Sequence, residues 1–231
     1  MSTSHPLIRV LSEFEARVHE LTAALALAGA QGSPYAASNP DRHPRAMVSR
    51  MAAARGLWFV APVPMDVFLR AGNRMATVAA HALRPMLAAR ALYSCRDAIR
   101  RCIDRETRRS LALSIGPAAF AALQERVSIC PGPQALPRDL SADALARRGW
   151  ALMLADGVCA DATLRHIVEL GLVMAAGGDI WQRALSLRDD LSAQAAAPGR
   201  RTEAALRGPT ATDEFLSIAG LLFPEFQWLF G

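Results

Sequence analysis

Lysine is absent from the sequence. All 26 side chains counted as lysine or arginine are arginine, and they are spread through every segment of a chain rich in alanine. We therefore attribute the composition to codon bias in a GC-rich genome and do not interpret it as a binding device. The net charge of +5 and the pI of about 9.7 nevertheless permit attraction to acidic proteins, anionic lipid or nucleic acid.

Cysteine is scarce, and no hydrophobic run is long. Cys95, Cys102, Cys130 and Cys159 form no CxxC pair, which predicts reduced thiols in a cytosolic protein, two of them on one helix face. The N-terminal residues include acidic side chains and lack the apolar run of a signal peptide, and no segment has the roughly 20 apolar residues of a membrane span. We expect a cytoplasmic location.

The motifs of common enzyme classes are also missing. The sequence has no GxxxxGK[ST], HExxH or GxSxG, and no GxGxxG after a strand. His166 and Glu169 share a helix face near Asp161, which is the start of a metal-site pattern. Because two ligands do not make a site, we interpret these three as surface polar residues. We expect no enzyme activity, no cofactor and no metal.

Helix signals dominate the chain, and the strongest lie between Asp66 and Val127. Asn73 is placed to cap a helix over 74–83, and Pro85 to open a second helix that ends near residue 103. Asp104 is placed to cap a third, and Gly116 with Pro117 to end it and begin a fourth. The apolar faces predicted for the second and fourth helices are Met86, Ala89, Tyr93, Ile99, Cys102 and Ile103, and Phe120, Leu123 and Val127.

The region before this core contains an amphipathic helix. Its apolar residues alternate spacings of four and three, which is typical of a helix packed lengthwise on another: Leu7, Leu11, Phe14, Val18, Leu21 and Leu25. We interpret it as docked on its own domain, with a helix kept for a partner as the alternative. A short helix over 46–55 should end before Gly56, and two prolines should make 57–64 extended. Trp58 and Phe59 are predicted core anchors, although Trp58 could instead be a binding hot spot.

The region after the core repeats helix and turn. Residues 130–140 are rich in proline and predict a connector, after which Ser141, Asp161 and Asp179 are placed to cap three helices. Thr212 is placed to cap the last helix. Five of the fourteen aromatic residues crowd into the tail, either as a plug packed on the domain or as a peptide for a partner's groove: Phe215, Phe223, Phe226, Trp228 and Phe230.

Together these patterns predict an all-α fold. We expect an irregular multi-helix bundle with a loosely tethered N-terminal helix and an aromatic C-terminal tail. The predicted divisions are 1–28 (N-terminal amphipathic helix), 29–45 (flexible connector), 46–129 (central helical core), 130–197 (C-terminal helical subdomain) and 198–231 (connector and aromatic tail).

Six arginines form the richest charge feature, here called the arginine strip: Arg96, Arg100, Arg101, Arg105, Arg108 and Arg109. Asp97, Asp104 and Glu106 are interleaved and can form i,i+4 pairs, and the strip has no aromatic residue to stack on bases. We favour a solvated face or an acidic protein partner over a helical nucleic-acid-binding regulator, which remains the alternative. The candidate partner-binding residues are this strip together with Phe223, Phe226, Trp228 and Phe230.

Three central segments resemble a known family. MDVFLRAGNRM, RRCIDRETRRSLALSIG and PAAFAALQ are similar in spacing and residue character to the SctK proteins of type III secretion systems, in the branch found in plant-associated proteobacteria. The likeness covers Leu57 to Leu123. It implies a non-enzymatic adaptor at the cytosolic face of the inner membrane, needed for secretion. The implied partners are an SctD-like inner-membrane ring protein and an SctQ-like pod protein, and through the pod SctL and the ATPase SctN.

Overall fold

The computed structural model describes residues 6–32, 44–59, 63–125, 135–195 and 210–230. Within these ranges the chain forms eleven α-helices and three short 3-10 helices without any strand, which confirms the all-α prediction. The α-helices are α1 (Pro6–Gly32), α2 (Pro44–Trp58), α3 (Ala80–Tyr93), α4 (Arg96–Arg101), α5 (Arg105–Ile115), α6 (Pro117–Glu125), α7 (Ala142–Ala155), α8 (Ala162–Ala175), α9 (Ile180–Ala195), α10 (Ala211–Leu222) and α11 (Gln227–Phe230). The 3-10 helices are Met65–Leu69, Ala71–Thr77 and Pro224–Phe226.

The described residues belong to two compact units, and each unit is discontinuous along the chain. The first unit comprises 6–32, 44–59, 63–69, 76–79 and 159–195, and therefore contains α1, α2, α8 and α9. The second unit comprises 70–75, 80–125, 135–158 and 210–230, and contains α3 to α7, α10 and α11. The five divisions expected from the sequence stay predictions.

In the first unit, α1 contacts α2, α8 and α9. Phe14, Val18, Leu21 and Leu25 are buried, whereas Leu7 and Leu11 are half-buried. The predicted seam therefore faces its own unit, as expected of a docked helix, and α1 continues to Gly32, beyond the predicted end. Burying four large apolar side chains at roughly 1.5–3 kcal/mol each is enough to hold such a helix in place.

The second helix of this unit is longer than predicted. It passes through Gly56 and ends at Trp58, so the expected helix end at residue 55 and the extended conformation of 57–58 are wrong. A helix-interior glycine costs only about 1 kcal/mol, less than Trp58 gains on burial. The Trp58 ring is buried and meets Trp181 edge to face, with the centroids 6.1 Å apart. This confirms Trp58 as a core anchor; Phe59 is half-buried.

The second unit is built on the packing of α3 against α7. A Cβ added at Gly149 in α7 would lie 1.8 Å from the backbone oxygen of Leu87 in α3, so the two helix backbones are close. Alanines on both helices, including Ala88, Ala91 and Ala146, are buried beside this approach. Small side chains allow two helix backbones to approach closely, and these buried alanines, with Gly149, provide them in α3 and α7.

Two predictions about the starts of the central helices are wrong. Ala71–Thr77 is a 3-10 helix, so Asn73 caps no helix over 74–83, and its own N–H donates to the Arg70 oxygen. Pro85 lies inside α3 and opens no helix. Because Pro85 is in the second turn, the helix loses one hydrogen bond there, and the burial of nearly every residue after it offsets that loss.

The break that the sequence did not predict comes at Ser94 and Cys95, between α3 and α4. Met86, Ala89, Tyr93 and Ile99 are buried as predicted, but Cys102 is half-buried and Ile103 is 95% exposed, because α4 ends at Arg101. Phe120 and Leu123 are buried, and Val127 lies outside the described residues.

Local helix-start signals were mostly right. Side-chain oxygens of Asp104, Ser141, Asp161 and Asp179 accept hydrogen bonds from backbone N–H groups in the first turns of α5, α7, α8 and α9. Gly116 has φ +89°, ends α5, and is followed by Pro117 at the start of α6. The Thr212 cap is wrong, because Thr210 caps α10 in a reciprocal pair of hydrogen bonds with Asp213.

Candidate interaction surface

Part of the arginine strip faces the interior of the second unit. Arg96 is 3% exposed, and its guanidinium lies 4.4 Å from the centroid of the Tyr93 ring. Its Nη1 donates to the backbone carbonyl oxygen of Tyr93. Arg108 is half-buried, lies over the Phe120 ring, and donates to the Cys102 oxygen and to Oε1 of Gln124. These two side chains hold α3, α4, α5 and α6 together.

The other four arginines of the strip are exposed. Arg100 Nε donates to the backbone oxygen of Gln124, and Arg101 Nε donates to the backbone oxygen of Asp97. Arg101 therefore does not form the expected ion pair with the Asp97 carboxylate. Arg105 and Arg109 make no hydrogen bond or ion pair with any residue in the described ranges. Their charges are available to a partner.

The acids of the strip do not neutralise this surface. The Asp104 carboxylate accepts from the Thr107 N–H at 2.8 Å, and hydrogen bonds from Thr107 hold its pKa below the ordinary value. Glu106 is exposed beside it on the first turn of α5. Four exposed arginines therefore share the strip with two exposed carboxylates, one of which is engaged in capping.

Large apolar side chains are exposed within the same region. Ile103 is 95% exposed in the loop before α5, and Leu113 is 77% exposed on α5 itself. Residues at i, i+4 and i+8 lie close together on a helix surface, so Arg105, Arg109 and Leu113 share a face. That exposed face, together with Ile103, is called the outer face of α5 below. Leu111, Ser114 and Ile115 lie on the opposite, buried side.

The aromatic tail packs on the second unit. Phe215 is buried and meets Tyr93 edge to face at 5.8 Å, and Phe223 and Phe230 are also buried. Arg74 Nη1 donates to the Leu229 oxygen at 2.8 Å. Phe226 and Trp228 are half-buried. The tail therefore behaves as a plug at its buried positions, and partner binding through Phe226 and Trp228 stays a prediction.

A buried polar cluster that the sequence did not reveal fixes the start of α10. Thr212 is fully buried, and its Oγ1 accepts from Arg90 Nε at 2.8 Å and donates to Asp156 Oδ2 at 2.5 Å. Asp156 Oδ2 also accepts from the Thr212 N–H and from Arg90 Nη2, both at 3.1 Å, and Arg90 Nη1 donates to Ser94 Oγ. No sequence pattern predicted this cluster, because its members are distant in sequence: Asp156 is 66 residues from Arg90 and 56 residues from Thr212.

The possible metal trio has other partners. Asp161 caps α8, and Glu169 accepts from Arg183 Nη2 at 2.5 Å. His166 is 4% exposed, so its interpretation as a surface residue is wrong. Burial lowers the pKa of His166, with the Glu169 charge and the backbone of Trp58 and Leu187 acting in the opposite direction. Within the described ranges, no group of three His, Cys, Asp or Glu residues is placed to hold a metal ion.

The cysteines are not arranged as predicted. Cys95 precedes α4 and Cys102 follows it, so they do not share a helix face. Cys95, Cys102 and Cys159 are free thiols, and burial raises the pKa of Cys95. Cys130 lies outside the described residues.

A family model described as bacterial type III secretion protein (HrpB4) matches residues 5–220. The chain belongs to the HrpB4 family. The match includes the arginine strip and the start of α10, and ends before Phe223. No curated protein and no solved structure matches the chain. The helices in the described ranges include none that is both long and apolar enough to cross a membrane.

Membership in the HrpB4 family makes the chain a type III secretion protein. This agrees with the resemblance noted from the central segments at the level of the secretion system. A component of a secretion system has other proteins of that system as its partners, and these are candidates to contact the exposed arginines of the strip.

Proposed function

We propose that this HrpB4-family protein is the SctK-type adaptor of the cytoplasmic sorting platform. It links an SctD-like inner-membrane ring protein to an SctQ-like pod protein, and through the pod it is connected to SctL and the ATPase SctN. It acts at the cytosolic face of the inner membrane and is needed for protein secretion. The observation that carries the proposal is the family match over residues 5–220.

The fold is compatible with an adaptor. A protein that joins two partners needs two binding surfaces, and the division of the chain into two compact units supports such a role. The three residues considered as a metal site have structural roles: Asp161 caps α8, Glu169 pairs with Arg183, and His166 is buried. Arg105, Arg109, Ile103 and Leu113 are exposed, and arginines and large apolar side chains are typical of protein interfaces.

Binding measurements with two purified proteins from the same organism test the proposal. The full chain is titrated with the SctQ-like pod protein and, separately, with the cytosolic domain of the SctD-like ring protein. We expect a stoichiometric complex with each, and loss of secretion on deletion of the gene. Absence of binding to both proteins, or normal secretion by the deletion strain, would overturn the adaptor role.

A nucleic-acid-binding regulator has less support. Arg96 and Arg108 make contacts inside the second unit. Only four of the six arginines in the strip are therefore exposed and able to contact phosphates. A filter-binding titration across salt concentration separates the two functions, since phosphate neutralisation gives a steep salt dependence. Tight duplex binding with such a slope would favour the regulator.

A further inference from the structure

The outer face of α5 combines charge and exposed apolar surface in one place. Arg105 and Arg109 make no polar contact within the described part of the chain, and Leu113 is 77% exposed on the same side of the helix. Ile103 stands at the start of this face and is 95% exposed. A single exposed apolar residue is ordinary on a protein surface. Two large ones beside unpaired arginines indicate an interface.

We propose that this face binds an acidic amphipathic segment of a second secretion-system protein. This assignment rests on the proposed adaptor function and names the chemistry of one partner. The argument for the occupant is charge complementarity: the arginine strip has four exposed arginines, against the two exposed carboxylates of Asp104 and Glu106. A basic or neutral segment would leave Arg105 and Arg109 unpaired in the interface, which is unfavourable.

The geometry of α5 also sets the length of that segment. Arg105 and Leu113 are eight residues apart, which is about 12 Å along a helix at 1.5 Å per residue. A helical partner lying along α5 therefore needs one large apolar residue to contact Leu113, and a second more than about two turns away, beyond Arg105, to contact Ile103. Asp or Glu side chains between them would meet Arg105 and Arg109.

The test uses two double variants of the full chain and one control. R105E/R109E reverses the charge of the face, and I103S/L113S removes its apolar side chains. The control, R50E/V48S, makes the same types of change on α2 in the first unit, where both residues are exposed. All positions are exposed, so the thermal unfolding of each variant should stay close to that of the wild type.

Each protein is titrated with the purified pod protein and with the cytosolic domain of the ring protein. For one of these partners we expect R105E/R109E to raise Kd by about tenfold or more, with a larger effect at low salt. I103S/L113S should raise Kd for the same partner by about tenfold. The control should leave both Kd values unchanged.

The possible failures are distinguishable. If the wild type binds neither partner, the adaptor function fails and this assignment fails with it. If the wild type binds and both variants bind equally well, the assignment alone is wrong. If I103S/L113S abolishes self-association of the chain and leaves pod and ring binding intact, a second copy covers the face. If R105E/R109E abolishes binding to a mixed-sequence DNA duplex, with pod and ring binding unchanged, the ligand is a nucleic acid.

Discussion

At the scale of single residues, His166 is the group whose burial has the clearest consequence. It is held in the first unit, and burial lowers its pKa, whereas in the unfolded chain it titrates near 6.5. The unfolded state therefore binds more protons just below that pH. The contribution of neutral His166 to stability is fully present above about pH 6.5 and is lost as the pH falls towards the lower, folded-state pKa.

This predicts an acid-dependent loss of stability that follows one side chain. The urea midpoint of the wild type should fall between pH 7.5 and pH 5.5, and H166Q should show a flatter dependence, because glutamine does not titrate. H81Q is the matched control, since His81 is exposed, and it should keep the wild-type dependence. Equal slopes for H166Q and the wild type would show that other groups cause the loss.

Residue-scale signals were also the most predictable from sequence. Caps such as Asp104 and Asp161 depend on a few neighbouring residues, and the structure confirms them. Thr212 was misassigned because the segment TATDE (210–214) offers Thr210 and Thr212 as competing caps. Thr210 has Asp213 at the third position for a reciprocal pair, and Thr212 is taken by a contact with Asp156 that is distant in sequence.

At the scale of elements, the close approach of α3 and α7 predicts an asymmetry between two helical glycines. G149A places a methyl group against the backbone of Leu87, which cannot rotate away. We expect destabilisation of about 1–3 kcal/mol or more from overpacking. G56A in α2 meets no atom within 4 Å and should stabilise by roughly 0.5–1 kcal/mol through helix propensity.

Urea unfolding of both variants measures the difference. Opposite signs for G149A and G56A are expected, because both glycines are helical and they differ mainly in the space around them. Similar small effects would show that α3 and α7 can separate at little cost.

The polar cluster at the start of α10 gives a second prediction for an element. T212V keeps the shape of the side chain, but removes the acceptor for Arg90 Nε and the hydroxyl donor to Asp156. Leaving the buried Arg90 guanidinium and the half-buried Asp156 carboxylate with one partner fewer should cost about 1–3 kcal/mol. The control S217A, on the exposed side of α10, should change stability by less than about 0.5 kcal/mol.

Hydrogen exchange can localise that effect. In T212V we expect faster exchange of α10 amides than in the wild type, with smaller changes in α5. Unchanged protection of α10 would mean that its apolar contacts, such as Phe215 on Tyr93, hold the helix without the cluster.

Helix existence was readable from the sequence, whereas helix boundaries were not. Pro85 and Gly56 carry local signals for a helix start and a helix end, and tertiary burial overrides both. The break after Tyr93 has no comparable local signal. Because α4 ends at Arg101, Ile103 is exposed and joins the outer face of α5, and this part of the candidate surface could not be predicted from spacing alone.

At the scale of the whole molecule, the prediction of fold class succeeded because hydrophobic periodicity is a property of each segment. The division into units joins α1 with α8 and α9, and α3 with α7 and α10. Such pairings depend on which buried surfaces fit together between segments that are distant in sequence. The arginine strip was likewise found as a group, and only the structure separates its buried members from its exposed ones.

The proposed adaptor function requires this chain to join two other proteins. The most direct measurement is the mass, by light scattering after gel filtration, of a mixture of the chain, the pod protein and the cytosolic domain of the ring protein. If the chain is this adaptor, a three-component complex forms when the chain is present, and the pod and ring proteins elute as separate species without it. Pod and ring proteins that elute separately whether or not the chain is added would contradict it.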